Sequence, residues 1–341
     1  MVEATLITTV YNEEDTLEGL LDSMKRQTVR PDEIIIVDGG SDDSTFEILQ
    51  RYEEEMENLE VLQREGCNIA EGRNIAVRNS SNQYIVGTDG GCILDERWFE
   101  EMVDKFEEGA EYVIGMFRPV YDNLFEKVQG EIVCSAHTVE ELKKGNRGPS
   151  SRSVGFSKKA WRAAGGYPED LYTGEDSKFN SLVMAKGFEP EIAEEAVVYW
   201  RMRPDWSSFF MQFYRYGEGD ARGGNLFTHP SQKLGVSKNF WLTLNSELTI
   251  LALIAVIYSF VGLRSILPYS VGIFIGSSSV PTLYYLRTLV NRTLVEDGLK
   301  GFLVGVGISQ VKSWAWYLGF AKEILKNPEL VVKQFEELFD R

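Results

Sequence analysis

The sequence predicts an α/β fold in which a mostly parallel central sheet is flanked by helices. Short apolar segments alternate with amphipathic segments in the N-terminal part of the chain, and this order is typical of strand–helix–strand units with right-handed crossovers. The apolar segments are nearly uninterrupted, as expected for strands that are buried on both faces of a parallel sheet. The predicted strands cover residues 5–10, 34–37, 59–62 and 84–87.

Helical periodicity marks the segments between these strands. Residues 15–27 carry Leu17, Leu20, Leu21 and Met24 at a spacing that places them on one face of a helix. Further helices are predicted up to residue 52 and at residues 68–78, 98–106, 178–186 and 206–216, and further strands at residues 112–117 and 197–200. Residues 155–161 are predicted to turn into a helix that ends at residues 165–166.

Composition excludes several classes of protein. The chain has 341 residues, a formal net charge of −17 and 43% hydrophobic residues, which is sufficient for a sizeable core. The acidity argues against nucleic-acid binding, because that function normally requires a basic face. The three cysteines are scattered and odd in number, which argues against a disulfide framework. The two histidines are far apart in the sequence, which argues against a zinc site.

Acidic side chains follow three of the predicted strands. Glu13, Asp38 and Asp89 each lie just beyond a buried strand, and the carboxyl ends of parallel strands meet at one ligand-binding crevice. Carboxylates gathered in a crevice repel one another unless a cation or ligand donors offset their charge. Asp89 therefore suits a divalent cation that bridges to phosphate oxygens. Gly90 and Gly91 follow it and allow a sharp turn and the close approach of a ligand.

The phosphate-binding signatures of two other nucleotide-binding folds are absent from the sequence. Neither GxGxxG nor GxxxxGK[ST] occurs, so dinucleotide-binding and P-loop functions are not expected.

The C-terminal third contains long apolar segments. Residues 248–263 and 265–286 carry no charge, and the second segment is long enough to cross a bilayer core of ~30 Å. A third segment, residues 301–320, is interrupted by Gln310 and Lys312. This pattern favours a helix in the membrane interface or a re-entrant position over a third span.

The distribution of basic residues predicts the orientation in the membrane. Arg287, Arg292 and Lys300 follow the second apolar segment, whereas only Arg264 separates the first two. The excess of positive charge predicts that this loop and the N-terminal domain lie on the cytoplasmic side of the cell membrane.

Residues 206–216 are dense in aromatic side chains. Such side chains prefer the headgroup zone, so we expect a helix along the cytoplasmic face of the bilayer, with Gln212 and Arg215 on one face of the helix. The alternative is that the aromatic residues belong to a hydrophobic core.

Six motifs in this order resemble those of the inverting family 2 glycosyltransferases with a GT-A fold. They are residues 8–14 (TTVYNEE), 37–45 (VDGGSDDST), 72–74 (GRN), 89–91 (DGG), 174–176 (GED) and 212–216 (QFYRY). Within this family, the chain looks most like the succinoglycan-assembly type of glucosyltransferase. The resemblance implies a catalytic domain at residues 1–230, a membrane domain of two to three helices at residues 238–322 and an amphipathic tail at residues 323–341.

The resemblance also implies a donor site for a nucleotide-diphosphate sugar, either a UDP-sugar or a GDP-sugar. Tyr11 and Asp38 would hold the nucleobase, and Glu13 and Arg73 would line the nucleoside pocket. Thr9 and Gly90 belong to the same implied donor-binding set.

The implied chemistry rests on a second group of residues. Asp176 would be the general base and Glu175 would support the acceptor or tune Asp176. Asp89 would place Mg²⁺ or Mn²⁺ against the diphosphate. Gln212 and Arg215 would cover the diphosphate. The implied acceptor is a lipid-linked one, such as a polyprenyl or dolichyl phosphate or a lipid-linked saccharide.

Two departures from the family pattern leave alternatives open. Gly91 stands where the metal motif usually has a second acidic residue, and Tyr216 stands where the last motif usually ends in Trp. One alternative is a glycosyltransferase-like membrane scaffold without catalytic activity, which Gly91 would favour. The other is a processive polysaccharide synthase, for which two or three membrane segments are few.

Overall fold

The structure is a computed structural model that describes residues 2–134, 138–144, 149–223 and 288–330. The apolar segments predicted to span a membrane, residues 248–263 and 265–286, lie outside the described residues. So do both histidines and most of the predicted C-terminal tail.

Eight strands of the described chain form one sheet. The strands are β1 (Ala4–Val10), β2 (Glu33–Asp38), β3 (Leu59–Gln63), β4 (Tyr84–Gly87), β5 (Cys92–Leu94), β6 (Tyr112–Val120), β7 (Val154–Ser157) and β8 (Glu191–Arg201). Each predicted strand is present, although β6 and β8 are longer than predicted. The short strands β5 and β7 were not predicted, because segments of three or four residues are too short to show a period.

The sheet is mixed rather than mostly parallel. Its order is β3-β2-β1-β4-β7-β6-β8-β5, and the first four strands are parallel, as the alternation of strands and helices predicts. β7 pairs antiparallel with both β4 and β6, and β5 pairs antiparallel with β8, whereas β6 and β8 are parallel. The prediction was wrong for β5 and β7, because the sequence beyond residue 91 no longer alternates regularly between strands and helices and so carries little information on pairing direction.

The helices are α1 (Leu17–Lys25), α2 (Thr45–Glu55), α3 (Ile69–Asn79), α4 (Trp98–Glu107), α5 (Leu124–Val133), α6 (Val139–Lys143), α7 (Lys158–Ala164), α8 (Glu175–Ala185), α9 (Trp206–Arg222) and α10 (Val295–Lys326). A π-helical turn at Leu289–Leu294 leads into α10. The helices α5 and α6 were not predicted from the sequence.

The apolar strands are buried on both faces of the sheet, which explains their lack of alternation. On β2, Ile34 and Ile36 belong to one buried cluster, together with residues of α1 and α4. The intervening Ile35 and Val37 belong to a second cluster, together with residues of α3 and α8. Successive side chains therefore enter opposite cores, and both cores require hydrophobic residues.

The chain divides into two compact units. The first comprises the described residues of Met1–Val120 and Ala136–Arg201, and the second comprises those of Tyr121–Ser135 and Met202–Arg341. The first unit contains the whole sheet. The second contains α5, α9 and α10. The predicted domain 1–230 includes both the sheet and α9, and its boundary stays a prediction.

The backbones of α9 and α10 approach closely within the second unit. A Cβ atom at Gly217 would lie 1.9 Å from the carbonyl oxygen of Trp316, and one at Gly319 would lie 1.9 Å from that of Tyr214. Only glycine fits at such a crossing. These two glycines therefore fix how the helices of this unit pack.

The aromatic residues of α9 serve largely as core. Phe209 and Phe213 are buried in a cluster with Val128, Ile132 and Ile308. For these two side chains the structure supports the alternative of a hydrophobic core, because α5 and α10 cover this face of the helix. Trp206 remains exposed, and an orientation of α9 along a membrane stays a prediction.

Within the described parts of the chain, no helix is both long and apolar enough to cross a membrane. Residues 301–320 lie in α10, and their predicted position in the membrane interface stays a prediction.

Candidate active site

A buried arginine joins two of the predicted site residues. Arg73 on α3 donates from Nη1 to Glu175 Oε1 and from Nη2 to Asp89 Oδ1, each at 2.6 Å. Arg73 and Glu175 are both only 4% exposed, whereas the Asp89 side chain is 25% exposed. We call Asp89, Arg73 and Glu175 the buried triad.

The neighbours of Arg73 in the GRN motif explain how the arginine is positioned. A Cβ atom at Gly72 would lie 2.7 Å from Thr9 Cγ2, so the glycine lets α3 approach β1 closely. Asn74 donates to the carbonyl of Tyr167 at 2.8 Å and accepts from the amide of the same residue at 2.9 Å. Through this motif, α3 packs closely against β1 and forms hydrogen bonds with the segment before α8.

Two adjacent carboxylates begin α8 in different environments. Burial raises the pKa of Glu175 to about 7, and the charge of Arg73 opposes this shift. Asp176 is partly exposed and accepts from the amide of Ser177 at 2.7 Å and from the amide of Ser151 at 3.4 Å. Asp176 is thus the more accessible of the two carboxylates, as a general base requires, and its role stays a prediction.

Asp38 is fully buried at the end of β2 and supports the loop that follows. Its carboxylate accepts from the amide and hydroxyl of Ser41, the amide of Gly40 and Nε2 of Gln63. These partners give Asp38 a structural role that the sequence did not indicate. Its predicted contact with a nucleobase stays untested.

Tyr11 offers an open aromatic face beside this loop. Its side chain is 55% exposed, and the position of a Cβ atom at Gly39 lies 3.5 Å from the Tyr11 ring. The next residue, Asn12, has a φ of 53° and exchanges hydrogen bonds with Ser41 and Asp42. Tyr11 is therefore held on an ordered turn and is accessible for stacking.

Glu13 lies beside the two glycines that follow Asp89. The Cβ position of Gly90 is 3.4 Å from Glu13 Cγ, and that of Gly91 is 3.9 Å from Glu13 Oε2. The hydroxyl of Thr16 donates to Glu13 Oε2. The exits of β1 and β4 therefore converge, as the sequence predicts for carboxyl ends of neighbouring parallel strands.

Arg152 is a further charged residue at this site and was missed by the sequence analysis. Its Nε lies 3.8 Å from Asp89 Oδ2, and its guanidinium carbon lies 3.8 Å from the centroid of the Trp200 ring. It belongs to none of the six motifs, and nothing in its local sequence distinguishes it from other arginines.

The described residues fit a divalent cation only in part. They contain no group of three or more histidine, cysteine, aspartate or glutamate side chains that could hold a metal ion. Asp89 is partly exposed; its Oδ1 pairs with Arg73 at 2.6 Å, whereas its Oδ2 lies 3.8 Å from Nε of Arg152. Mg²⁺ is often held by one or two carboxylates together with substrate phosphates. The site therefore fits a cation that a bound diphosphate helps to coordinate.

The second unit contains the remaining two predicted donor-binding residues. On α9, Gln212 is buried and donates to the hydroxyl of Tyr216 at 3.1 Å, whereas Arg215 is exposed. Their predicted contact with a diphosphate stays a prediction.

Comparisons with known proteins place the N-terminal part of the chain among glycosyltransferases. Residues 5–162 match the family model described as Glycosyl transferase family 2. The chain is 29% identical over 114 residues to Glycosyltransferase GlyA of Streptococcus pneumoniae, an alignment that covers 33% of this chain and 16% of the relative. It is 23% identical over 232 residues to the succinoglycan biosynthesis protein ExoA of Rhizobium meliloti, which covers 62% of this chain and 67% of the relative.

The fold is similar to that of the mannosyltransferase PcManGT from Pyrobaculum calidifontis, solved in complex with GDP-Man and Mn²⁺. The TM-score is 0.57 at 16% identity, over 95% of this chain and 88% of that one. This likeness supports the predicted GT-A type of α/β fold.

Proposed function

We propose that the chain is an inverting glycosyltransferase, because residues 5–162 match the model of glycosyl transferase family 2. It moves a sugar from a UDP- or GDP-sugar to a lipid-linked acceptor during glycan or polysaccharide assembly. The observation that carries the proposal is the buried triad, with the accessible Asp176 next to Glu175 in sequence. The triad joins the end of β4, where a donor diphosphate would bind, to the start of α8, where an acceptor would be activated.

Asp176 acts as the general base in this proposal. Its carboxylate accepts the proton of the acceptor hydroxyl as the oxygen attacks the anomeric carbon of the sugar. The bond from that carbon to the diphosphate breaks on the opposite face, so the configuration is inverted and the nucleoside diphosphate leaves. Ser151 and Ser177 orient Asp176 through their backbone amides.

Arg73 holds the two ends of the site at a constant separation. It binds Asp89 and Glu175 with separate nitrogens of one planar guanidinium, which is well suited to carboxylate and phosphate groups. Tyr11 stacks on the nucleobase from its exposed position. A bound Mg²⁺ or Mn²⁺ at Asp89 would neutralise charge on the leaving diphosphate.

The lipid-linked acceptor is supported by the sequence and by one relative. The uncharged segments at residues 248–263 and 265–286 are typical of membrane proteins, and the positive charges after them favour a cytoplasmic active site. The ExoA relative acts in succinoglycan biosynthesis, as its name states. An acceptor anchored in the membrane could present its hydroxyl to Asp176 from the cytoplasmic side.

The experiment compares Asp176→Asn with Asp170→Asn, a control at an exposed aspartate just before α8. A panel of nucleotide sugars is first screened for thermal stabilisation of the full chain, and transfer to lipid-linked acceptors in vesicles is then measured. Asp176→Asn should bind the selected donor nearly as well as the wild type and transfer it ~10²–10⁴-fold more slowly. Near-normal transfer by this variant would show that another group is the base.

The alternative of an inactive scaffold rests on Gly91. Hydrolysis of the selected donor, measured with and without Mn²⁺, separates the two functions, because a scaffold would release no sugar under either condition.

A further inference from the structure

We propose that Arg152 is a donor-binding residue, which contacts the diphosphate at Asp89 and gives nucleotide binding a component that needs no metal ion. The inference rests on the proposed function and adds a residue that lies outside the family motifs.

The segment at residues 150–153 brings Arg152 to the site. The hydroxyl of Thr88, the residue before Asp89, donates to the carbonyl of Arg152 at 3.0 Å. The Nη1 of Arg152 donates to the hydroxyl of Ser150 at 2.9 Å, and the amide of Ser151 contacts Asp176 at 3.4 Å. One short segment therefore contacts both the end of β4 and the proposed base.

Two aromatic rings hold the guanidinium of Arg152. Its central carbon lies 3.8 Å from the ring centroid of Trp200 and 5.6 Å from that of Phe117. The two rings meet edge to face, with an interplanar angle of 84°. A guanidinium stacked in this way loses little further conformational freedom when it binds an anion, because its plane is already fixed.

The distances of Arg73 and Arg152 from Asp89 are compatible with a phosphate bound at Arg152. Arg73 already pairs with Asp89 at 2.6 Å, whereas Arg152 approaches the other oxygen only to 3.8 Å. A phosphate can therefore engage Arg152 while Asp89 keeps its closer partner. The side chain of Arg152 is 17% exposed, so its interaction with a phosphate would be weakly screened.

Gly91 explains why the positive charge of Arg152 would matter at this site. No second carboxylate follows Asp89 to help hold a metal ion, so a cation shared with the diphosphate would be held by fewer protein ligands than in the family pattern. The planar fork of an arginine binds phosphate directly and stays charged at all physiological pH values. Arg152 thus supplies positive charge at the diphosphate that does not depend on a bound metal.

The test measures binding of UDP and of GDP to the full chain by titration calorimetry, in EDTA and in Mn²⁺. Arg152→Met removes the charge and keeps an apolar side chain against Trp200, whereas Arg152→Lys keeps the charge without the fork. Arg97→Met is the control, because Arg97 is exposed and pairs only with Glu100 and Glu101 of α4 among the ion pairs of the described residues. Circular dichroism and thermal unfolding establish that each variant is folded.

We expect the wild type to bind one of the nucleotides in EDTA. Arg152→Met should weaken this binding about 10- to 100-fold, as expected for loss of a charge-assisted hydrogen bond. Arg152→Lys should fall between the two, and Arg97→Met should match the wild type.

Two results would overturn the inference while leaving the proposed function intact. One is binding by the wild type in Mn²⁺ but not in EDTA, and the other is unchanged binding in EDTA by a folded Arg152→Met. Failure of the wild type to bind either nucleotide under both conditions would overturn the proposed function as well.

Discussion

Replacement of Arg73 by Met tests how much the ion pairs of the buried triad contribute to the free energy of unfolding. Arg73 forms two contacts of 2.6 Å, one to Asp89 and one to Glu175, and is only 4% exposed. At an effective dielectric constant of about 20, each pair contributes ~6 kcal/mol of attraction. The burial of each ion costs several kcal/mol, so the intact triad is worth much less than the sum of its attractions.

Methionine removes the attraction and leaves the cost of burying the carboxylates. Breaking a buried pair in this way typically destabilises a protein by about 3–5 kcal/mol. Arg78→Met provides a matched control on the same helix, because Arg78 pairs with Glu169 at 2.9 Å and both side chains are exposed. An exposed pair of this kind contributes about 0–1 kcal/mol.

The assay is urea-induced unfolding, followed by tryptophan fluorescence and by circular dichroism. Coincidence of the two transitions is needed before a free energy of unfolding is assigned, since the chain has two compact units. Adding Glu175→Gln to Arg73→Met should recover part of the loss, because it removes a carboxyl group that must take up a proton to remain buried once Arg73 is absent. The reasoning would be refuted if Arg73→Met and Arg78→Met lowered the free energy of unfolding equally.

Two further predictions concern the carboxylates of the triad. The pKa of Glu175 is about 7 in the folded chain and 4.5 ordinarily, so its contribution to the free energy of unfolding is present below pH 4.5 and is lost as the pH rises to about 7. This loss amounts to about 3 kcal/mol. The Glu175→Gln variant should not show this pH-dependent loss of stability. Between pH 4.5 and pH 8, the free energy of unfolding of the variant should therefore rise by that amount relative to that of the wild type. The second prediction concerns Asp89. Asp89→Ala should abolish the increase in nucleotide affinity that Mn²⁺ produces; if Mn²⁺ still tightens binding to the variant, another group holds the metal.

The sequence by itself determined the elements of the first unit and the edge where its site lies. Continuous apolar runs such as Ile34–Ile36 reflect local burial on both faces, and this property depends on each strand alone. The order of strand and helix then makes neighbouring strands parallel, so their acidic exits must converge. The position of Glu13 beside Gly90 and Gly91, the two residues after Asp89, followed from these rules.

The tertiary structure alone decided which charges meet at that edge. Arg73 and Glu175 are 102 positions apart, and Arg152 reaches Asp89 and Trp200 from a segment that carries no motif. The tertiary structure also decided that Phe209 and Phe213 are core residues. The hydrophobic pattern of a helical sequence shows which face is apolar, but it does not show what covers that face. Local periodicity depends on near neighbours, whereas ion pairs and packing partners depend on the order of strands and the crossing of helices. This difference is why the fold was largely predictable and the connections within the site were not.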